Sequence, residues 1–493
     1  MALALVLGVD GTDKAQAQSC NTSSGFVTVS GAGASCTIPN ATLTGTGSTG
    51  NATVAASSGA QITTNTNNVT VSPNNGGTVG AFAQTTGTIT FGPGSIIQGN
   101  YATAASAQTG GQIFFQSGST INPAFGGGVK ELLANGVGSQ ITATGLTVNM
   151  NGNGGNTGAL ATGGGLITLN AGTTVNFAPG GGGNTGLSAS GAGSQIVTNG
   201  ATLNMPGGGG GDTGVTADSG GNVMLTNSNV SVTGNGSGEV GLKATNSGSI
   251  VTSGGSVSVV NGAGGLLQNG GSLTMSGTDV TASGNGGYGF LFNNGGSANT
   301  LQYSGGTVIA SAASFSVQGA TANISLSNAV AVTNNNTLLE TTSSGTTLFN
   351  AQGSTLQGVI STQGGSTSTV NLTQGTVWTM TGNSTATNLT NNNSTITFTG
   401  PTGDATQLAS YKTLTTVNYA GTGGEINLNT FVGADGSPSD RLIINGGTAM
   451  GATSLFIHNT IGLGAETTGN GILVVNAING GSANTLQYSG GTV

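Results

Sequence analysis

Charge is scarce in this 493-residue chain: Asp, Glu, Lys and Arg together make up 4%, against about 25% in ordinary globular domains. Five Lys plus Arg face thirteen Asp plus Glu, for a net charge of −8. The basic residues are Lys14, Lys130, Lys243, Lys412 and Arg441, each far from the next in sequence. Phosphate backbones are held by clustered cations, so no nucleic-acid partner is expected. Aromatics are also at 4%, with one Trp and one His. Eight Pro and the lack of a Gly-X-Y period exclude collagen. Disordered chains combine low hydrophobicity with high charge, whereas here hydrophobics are 35% and charge is sparse. No apolar run approaches the ~18 residues of a membrane helix. Nor is there a series of ten-residue alternating segments with aromatic girdles to mark a membrane barrel. With almost no Glu, Lys or Arg and no run of 3.6 periodicity, helices are not expected.

Glycine, by contrast, is abundant, at 96 residues. With Thr, Ser, Asn, Val and Ile it supplies short strands and tight turns. At the N-terminus, apolar Ala2–Val9 precedes Ala15-Gln16-Ala17, the pattern of a secretory signal cut after Ala17. It lacks a basic first region and contains Asp10 and Asp13, so residues 1–17 read as the remnant of such a signal. In an exported chain the only cysteines, Cys20 and Cys36, are expected to pair. The sole His458 lies far from them, so a metal site is not expected, and no cofactor motif is present.

The middle of the chain repeats. Gly138-Ser139-Gln140-Ile141, Gly193-Ser194-Gln195-Ile196, Gly221-Asn222-Val223 and Gly248-Ser249-Ile250 each precede a short strand such as Leu146-Thr147-Val148-Asn149-Met150 or Val230-Ser231-Val232. A Gly/Asn turn and a third segment follow: Asn156-Thr157-Gly158, Asn184-Thr185-Gly186, Asp212-Thr213-Gly214, Glu239-Val240-Gly241. The period is about 27 residues, within the solenoid range. One such unit cannot bury its apolar face, but stacked units can. Alternation within each strand sends Leu146, Val148 and Met150 inward and leaves Thr and Asn outside. The expected fold is all-β, a right-handed single-stranded parallel β-helix, with repeats over about Val27 to Val370. About a dozen coils at ~4.8 Å each would make a rod roughly 60 Å long. A β-sandwich is the alternative, but it would not explain the regular return.

After about Gly365 the texture changes, and the only Trp, Arg and His follow: Trp378, Arg441 and His458. The pieces Trp378-Thr379-Met380-Thr381-Gly382-Asn383-Ser384, Tyr411-Lys412-Thr413-Leu414-Thr415, Gly423-Gly424-Glu425-Ile426-Asn427-Leu428-Asn429-Thr430, Ser437-Pro438-Ser439-Asp440-Arg441-Leu442, Gly446-Gly447-Thr448-Ala449 and Gly471-Ile472-Leu473-Val474-Val475 stand in order. Together they resemble the C-terminal part of the pertactin-type passenger of bacterial autotransporters (type V secretion). The resemblance covers about residues 376–480; upstream it is one of style. It implies a right-handed β-helical passenger carried across the outer membrane by a translocator barrel. That barrel is expected as a partner and is not within this sequence. The resemblance further implies that this segment is an autochaperone-like stable core, with Trp378, Tyr411, Tyr419, Asp440, Arg441 and Leu442 as its structural residues. Such passengers are usually adhesins or other virulence-related surface proteins. Four parts are thus expected: 1–17 signal remnant, 18–375 repetitive passenger, 376–480 cap, and 481–493 a duplicated tail. Residues 479–493 repeat 294–308 without a change, as recent duplication, recombination or a joining error would leave them.

Catalytic readings are weak. Gly433-Ala434-Asp435-Gly436-Ser437-Pro438 resembles the nucleophile loop of autotransporter serine proteases, but only His458 could serve as base. A turn locked by hydrogen bonds of the Asp440-Arg441 pair is the plainer expectation. A polysaccharide hydrolase needs paired carboxylates; the closest acids, Asp10 with Asp13, Asp212 with Asp218 and Asp435 with Asp440, are not placed on one strand face. Gly207–Asp212 fits the Gly-Gly-x-Gly-x-Asp calcium-roll pattern once, not in tandem. The expected function is therefore non-enzymatic: a cell-surface or secreted adhesin exported through the periplasm. Host-cell, matrix, glycan or self-association are the expected partner classes. The alternatives are a surface coat or spacer without a receptor and a β-helical polysaccharide-degrading enzyme.

Overall fold

The computed structural model describes residues 18–64, 69–124, 127–334 and 336–490; the expected signal remnant lies outside them. The chain is all-β, a right-handed parallel β-helix of about 16 turns. One sheet of 14 strands, from Val27–Ser30 to Val359–Thr362, takes one strand from each coil over that range; a second, of 36 strands, takes the others and continues beyond it. Among the described residues the only helical pieces are two three-residue 3-10 turns.

The reason for stacking is visible in one interior column. Ile141, Ile167, Ile196, Val223 and Ile250 are partners in successive coils, and each is fully buried. The same column runs unbroken from Ile62 through Ile89 and Ile113 to Leu389, Tyr419 and Ala449. Burying each such side chain is worth about 1.5–3 kcal/mol relative to exposure, a gain that only neighbouring coils supply. Aromatic residues join the same shaft: Phe91 stacks on Phe115 at 4.9 Å and Phe290 on Phe315 at 5.8 Å. Outside, side-chain amides form their own ladder, with Asn149 donating to Asn122, Asn176 to Asn149 and Asn204 to Asn176.

The coils are more numerous than a constant period predicts, because they are unequal. Partners in adjacent coils lie 28 residues apart at Asn184 and Asp212, 23 at Asn246 and Asn269, and 21 at Asn350 and Asn371. The contraction comes where the Gly-rich corner loop is missing: Ser256–Val260 meets Gly262–Gln268 with only Asn261 between them. Asn261 takes a positive φ of 62°, a conformation Asn tolerates better than most residues. At the opposite extreme of crowding, a Cβ on Gly158, Gly186, Gly214 or Gly241 would stand 2.5–2.6 Å from a carbonyl oxygen of the next coil.

A disulfide joins Cys20 to Cys36, 16 residues apart. It fastens the terminal strand Gln18–Ser19 to Ser35–Ile38, its parallel partner. Closing a loop of this length stabilises by about 3 kcal/mol in the chain-entropy view. Reduction is therefore expected to fray the first coil. Limited proteolysis should then cut before about Ile38 while leaving the later coils intact.

The exact repeat at the C-terminus folds into different surroundings. In the first copy, Asn299–Ser304 lies inside the stack with Asn299 and Leu301 buried. In the second, Ser482–Gly490 pairs only with Thr448–Asn459; Leu486 is again buried, but Asn484, which corresponds to Asn299, is exposed.

Candidate functional site

The densest polar arrangement in the described chain lies near its C-terminal end. It is built on the longest strand, Thr413–Thr430, which pairs with Ser384–Asn392 and Thr395–Phe398 on one side and with Arg441–Asn445 and Thr448–Asn459 on the other. Asp440, fully buried, ties the two ends of this strand together. Its Oδ1 accepts from the Lys412 backbone N–H at 2.7 Å. Its Oδ2 accepts from the Asn429 N–H at 2.8 Å and from Asn429 Nδ2 at 2.7 Å.

Lys412 is buried as well, and its ammonium donates to the carbonyls of Thr399 and Gly400 at 2.8 and 2.5 Å. Asn429 Nδ2 also reaches the Phe398 and Thr399 carbonyls, so the returning loop after Phe398 is held from two directions. Burial pushes the Asp440 carboxyl above its ordinary range, and the N–H donors from Lys412 and Asn429 and the nearby ammonium oppose that. Burial likewise lowers Lys412, and Asp440 opposes it. The chemistry is that of a sealed structural knot, in which Lys412 and Asn429 donate to fixed backbone and carboxylate acceptors.

The remaining expected residues surround this knot. The Tyr411 hydroxyl donates to the Ala405 carbonyl at 2.8 Å and meets Thr460 Oγ1 at 3.0 Å. Tyr419 is buried with its hydroxyl 2.9 Å from Thr453 Oγ1, and Leu442 is fully buried. Trp378 is not at the open end of the stack. It sits inside the shaft between Leu356 and Ile396, its indole N–H donating to the Gly358 carbonyl at 2.9 Å. Arg441 does not share the lock with Asp440: its Nε is buried without a partner, and the Lys412 backbone N–H meets the carboxylate instead.

The loop Gly433–Pro438 is a turn. Ser437 Oγ donates to the Ala434 carbonyl, and Asp435 accepts N–H groups of Thr468, Gly469 and Gly471. These donors hold the Asp435 carboxyl below its usual range. His458 is exposed on Thr448–Asn459, with no hydrogen bond to Ser437. Among the described residues no group of three or more His, Cys, Asp or Glu could hold a metal ion.

Two buried acids escape a reading of the local sequence. Glu131 occupies the crowded column otherwise held by Gly158 and Gly186. It accepts from the Tyr101 hydroxyl at 3.0 Å, and burial pushes its carboxyl up to about 8. Glu239 meets Asp212 of the preceding coil. The signal for the second pair was the alignment of coils, since Asp212 and Glu239 immediately precede the aligned residues Thr213 and Val240.

The model of the autochaperone domain type 1 matches residues 384–492. The match therefore contains the whole Lys412–Asn429–Asp440 knot and most of the repeated tail. No curated protein matches this chain. The class defined by fold and match together is a parallel β-solenoid ending in an autochaperone-type segment, the arrangement found in autotransporter passengers.

Proposed function

We propose that this chain is a non-enzymatic passenger, displayed at or released from the bacterial surface, that acts as an adhesin. The observation that carries the reading is the pairing of a rod of about 16 coils with an autochaperone-type end. A solenoid of this kind offers long faces whose outward residues can vary without disturbing the shaft. Here those faces hold Thr and Asn ladders, suited to hydroxyl-rich ligands such as glycans or to a second polar surface. The knot around Asp440 serves as the template on which upstream coils settle as they emerge, because stacking propagates from a formed unit to its neighbour.

The test is attachment. Bacteria lacking the gene should bind host cells, matrix or glycan-coated surfaces less well, and the purified chain should compete with the parent strain. Unchanged attachment by a strain that displays the chain would leave a coat or spacer as its role.

A further inference from the structure

One corner of the solenoid carries a polar ladder inside the protein. Immediately before the aligned residues Thr157, Thr185, Thr213 and Val240, successive coils place Asn156, Asn184, Asp212 and Glu239 in one column, and all four are buried. Each side-chain oxygen accepts the backbone N–H of the preceding coil. Val129 donates to Asn156 at 3.1 Å, Asn156 to Asn184 at 3.0 Å, Asn184 to Asp212 at 2.8 Å and Asp212 to Glu239 at 2.9 Å. The next member is Gly262, which ends the ladder.

Two amides suffice for the first two steps, yet the last two are carboxylic acids in adjacent coils. Successive strands in a sheet stand ~4.8 Å apart. No cation sits between the two acids. Lys243 lies on the outward face of Glu239–Thr245, and Asp218, at the far end of Thr213–Asp218, accepts from Asn246. The neighbouring strands Thr185–Ser190, Asn222–Thr226, Asn229–Val232, Ser249–Ser253, Ser256–Val260 and Gly262–Gln268 contain no charged or titratable residue. Neither do the loops 206–211 and 233–238.

Glu239 Oε1 is sealed from solvent and has no partner. It lies 2.9 Å from where a Cβ on Gly234 would stand, directly beneath the loop. Above the acids the glycine loops pack backbone on backbone but are joined by few hydrogen bonds, among them Gly183 N–H to the Gly210 carbonyl and Gly211 N–H to the Ser237 carbonyl.

We propose that Asp212 and Glu239 form a pH-operated latch for this glycine-rich ridge, closed when the pair holds a proton and loosened when both acids ionise. Two like charges one coil apart, with one oxygen lacking any donor, cannot both ionise without water entering, and water enters through loops that are mostly glycine and carry only small side chains. Burial, and then the charge of Asp212, push Glu239 up to about 7, and burial raises Asp212. Both acids hold protons more tightly in the closed ridge than in the unfolded chain. The stabilisation is therefore present below about pH 4.5 and is lost as pH rises through about 7. The two acids titrate as a pair. The latch works whatever the rod adheres to.

Hydrogen exchange of the whole chain at about pH 5.5 and about pH 8, corrected for intrinsic rates, tests it, each unit of raised pKa being worth a factor of about ten. Peptides covering 206–215 and 233–243 should lose protection about tenfold or more at the higher pH. In Glu239→Gln, which keeps an acceptor oxygen, that loss should disappear, because Asn156 and Asn184 already show that an amide fits the column; in Asp212→Asn it should shrink, since burial alone still raises Glu239. Exchange near Glu131 reports a separate buried acid and is read from different peptides. Ridge protection equal at the two pH values would overturn the latch, as would a loss that persists in both variants.

Discussion

Asp440→Ala is expected to unfold the C-terminal unit at denaturant concentrations where the parent remains folded. Three N–H groups lose their acceptor, and the Lys412 ammonium, already buried, loses its only nearby anion. Leaving a buried donor without its acceptor typically costs about 1–3 kcal/mol, more when the acceptor was charged. Asp440→Asn is only partly conservative: one oxygen can still accept from Lys412, but the new amide hydrogens would point at the Asn429 donors. The order of stability should therefore be parent, then Asn, then Ala. Trp378, the single Trp and fully buried beside this unit, gives a fluorescence readout. The kinetics separate two roles. If the knot is a template for the coils upstream, the folding limb slows for the whole rod; if it is merely a lock, only unfolding accelerates. Equal stability of Asp440→Ala and parent would mean that the knot is not what holds the C-terminal unit together.

How much of this was legible beforehand depends on the range of the interaction. The Ile141–Ile196–Val223–Ile250 column follows from alternation and a returning period, both local patterns that survive in a single sequence. The number of coils does not follow, because dropping the corner loop at Asn261 shortens the repeat and a fixed period then undercounts. Asp440 was readable as a corner residue, but its true partners, Lys412 and Asn429, lie 28 and 11 residues away. Adjacent Arg441 looked the natural companion, yet neighbours along a strand point to opposite faces, so its guanidinium is carried away from the carboxylate. Glu131 gives no local sign at all: it stands in a column of glycines, and only the register with Gly158 and the approach of Tyr101 show why a carboxylic acid fits there, held neutral.

Trp378→Ala is the second large effect, and it differs in kind. The indole fills the shaft between Leu356 and Ile396 and satisfies the Gly358 carbonyl. Truncation to Ala should cost about 3–5 kcal/mol through lost contacts and the cavity left behind. Trp378→Phe keeps most of the packing but leaves the carbonyl without a donor, a loss of about 1 kcal/mol. In a stack, each coil touches only its neighbours, so stability is a sum of unit and interface terms. A coil weakened in mid-stack should therefore act as a break and not merely lower one midpoint. Melting followed by far-UV circular dichroism should show one transition for the parent and two for Trp378→Ala, the coils before Gly358 separating from the unit beyond Thr395. A single transition shifted as a whole would mean that cooperativity reaches past the broken coil, and that the C-terminal unit is not an autonomous block on which the rest is built.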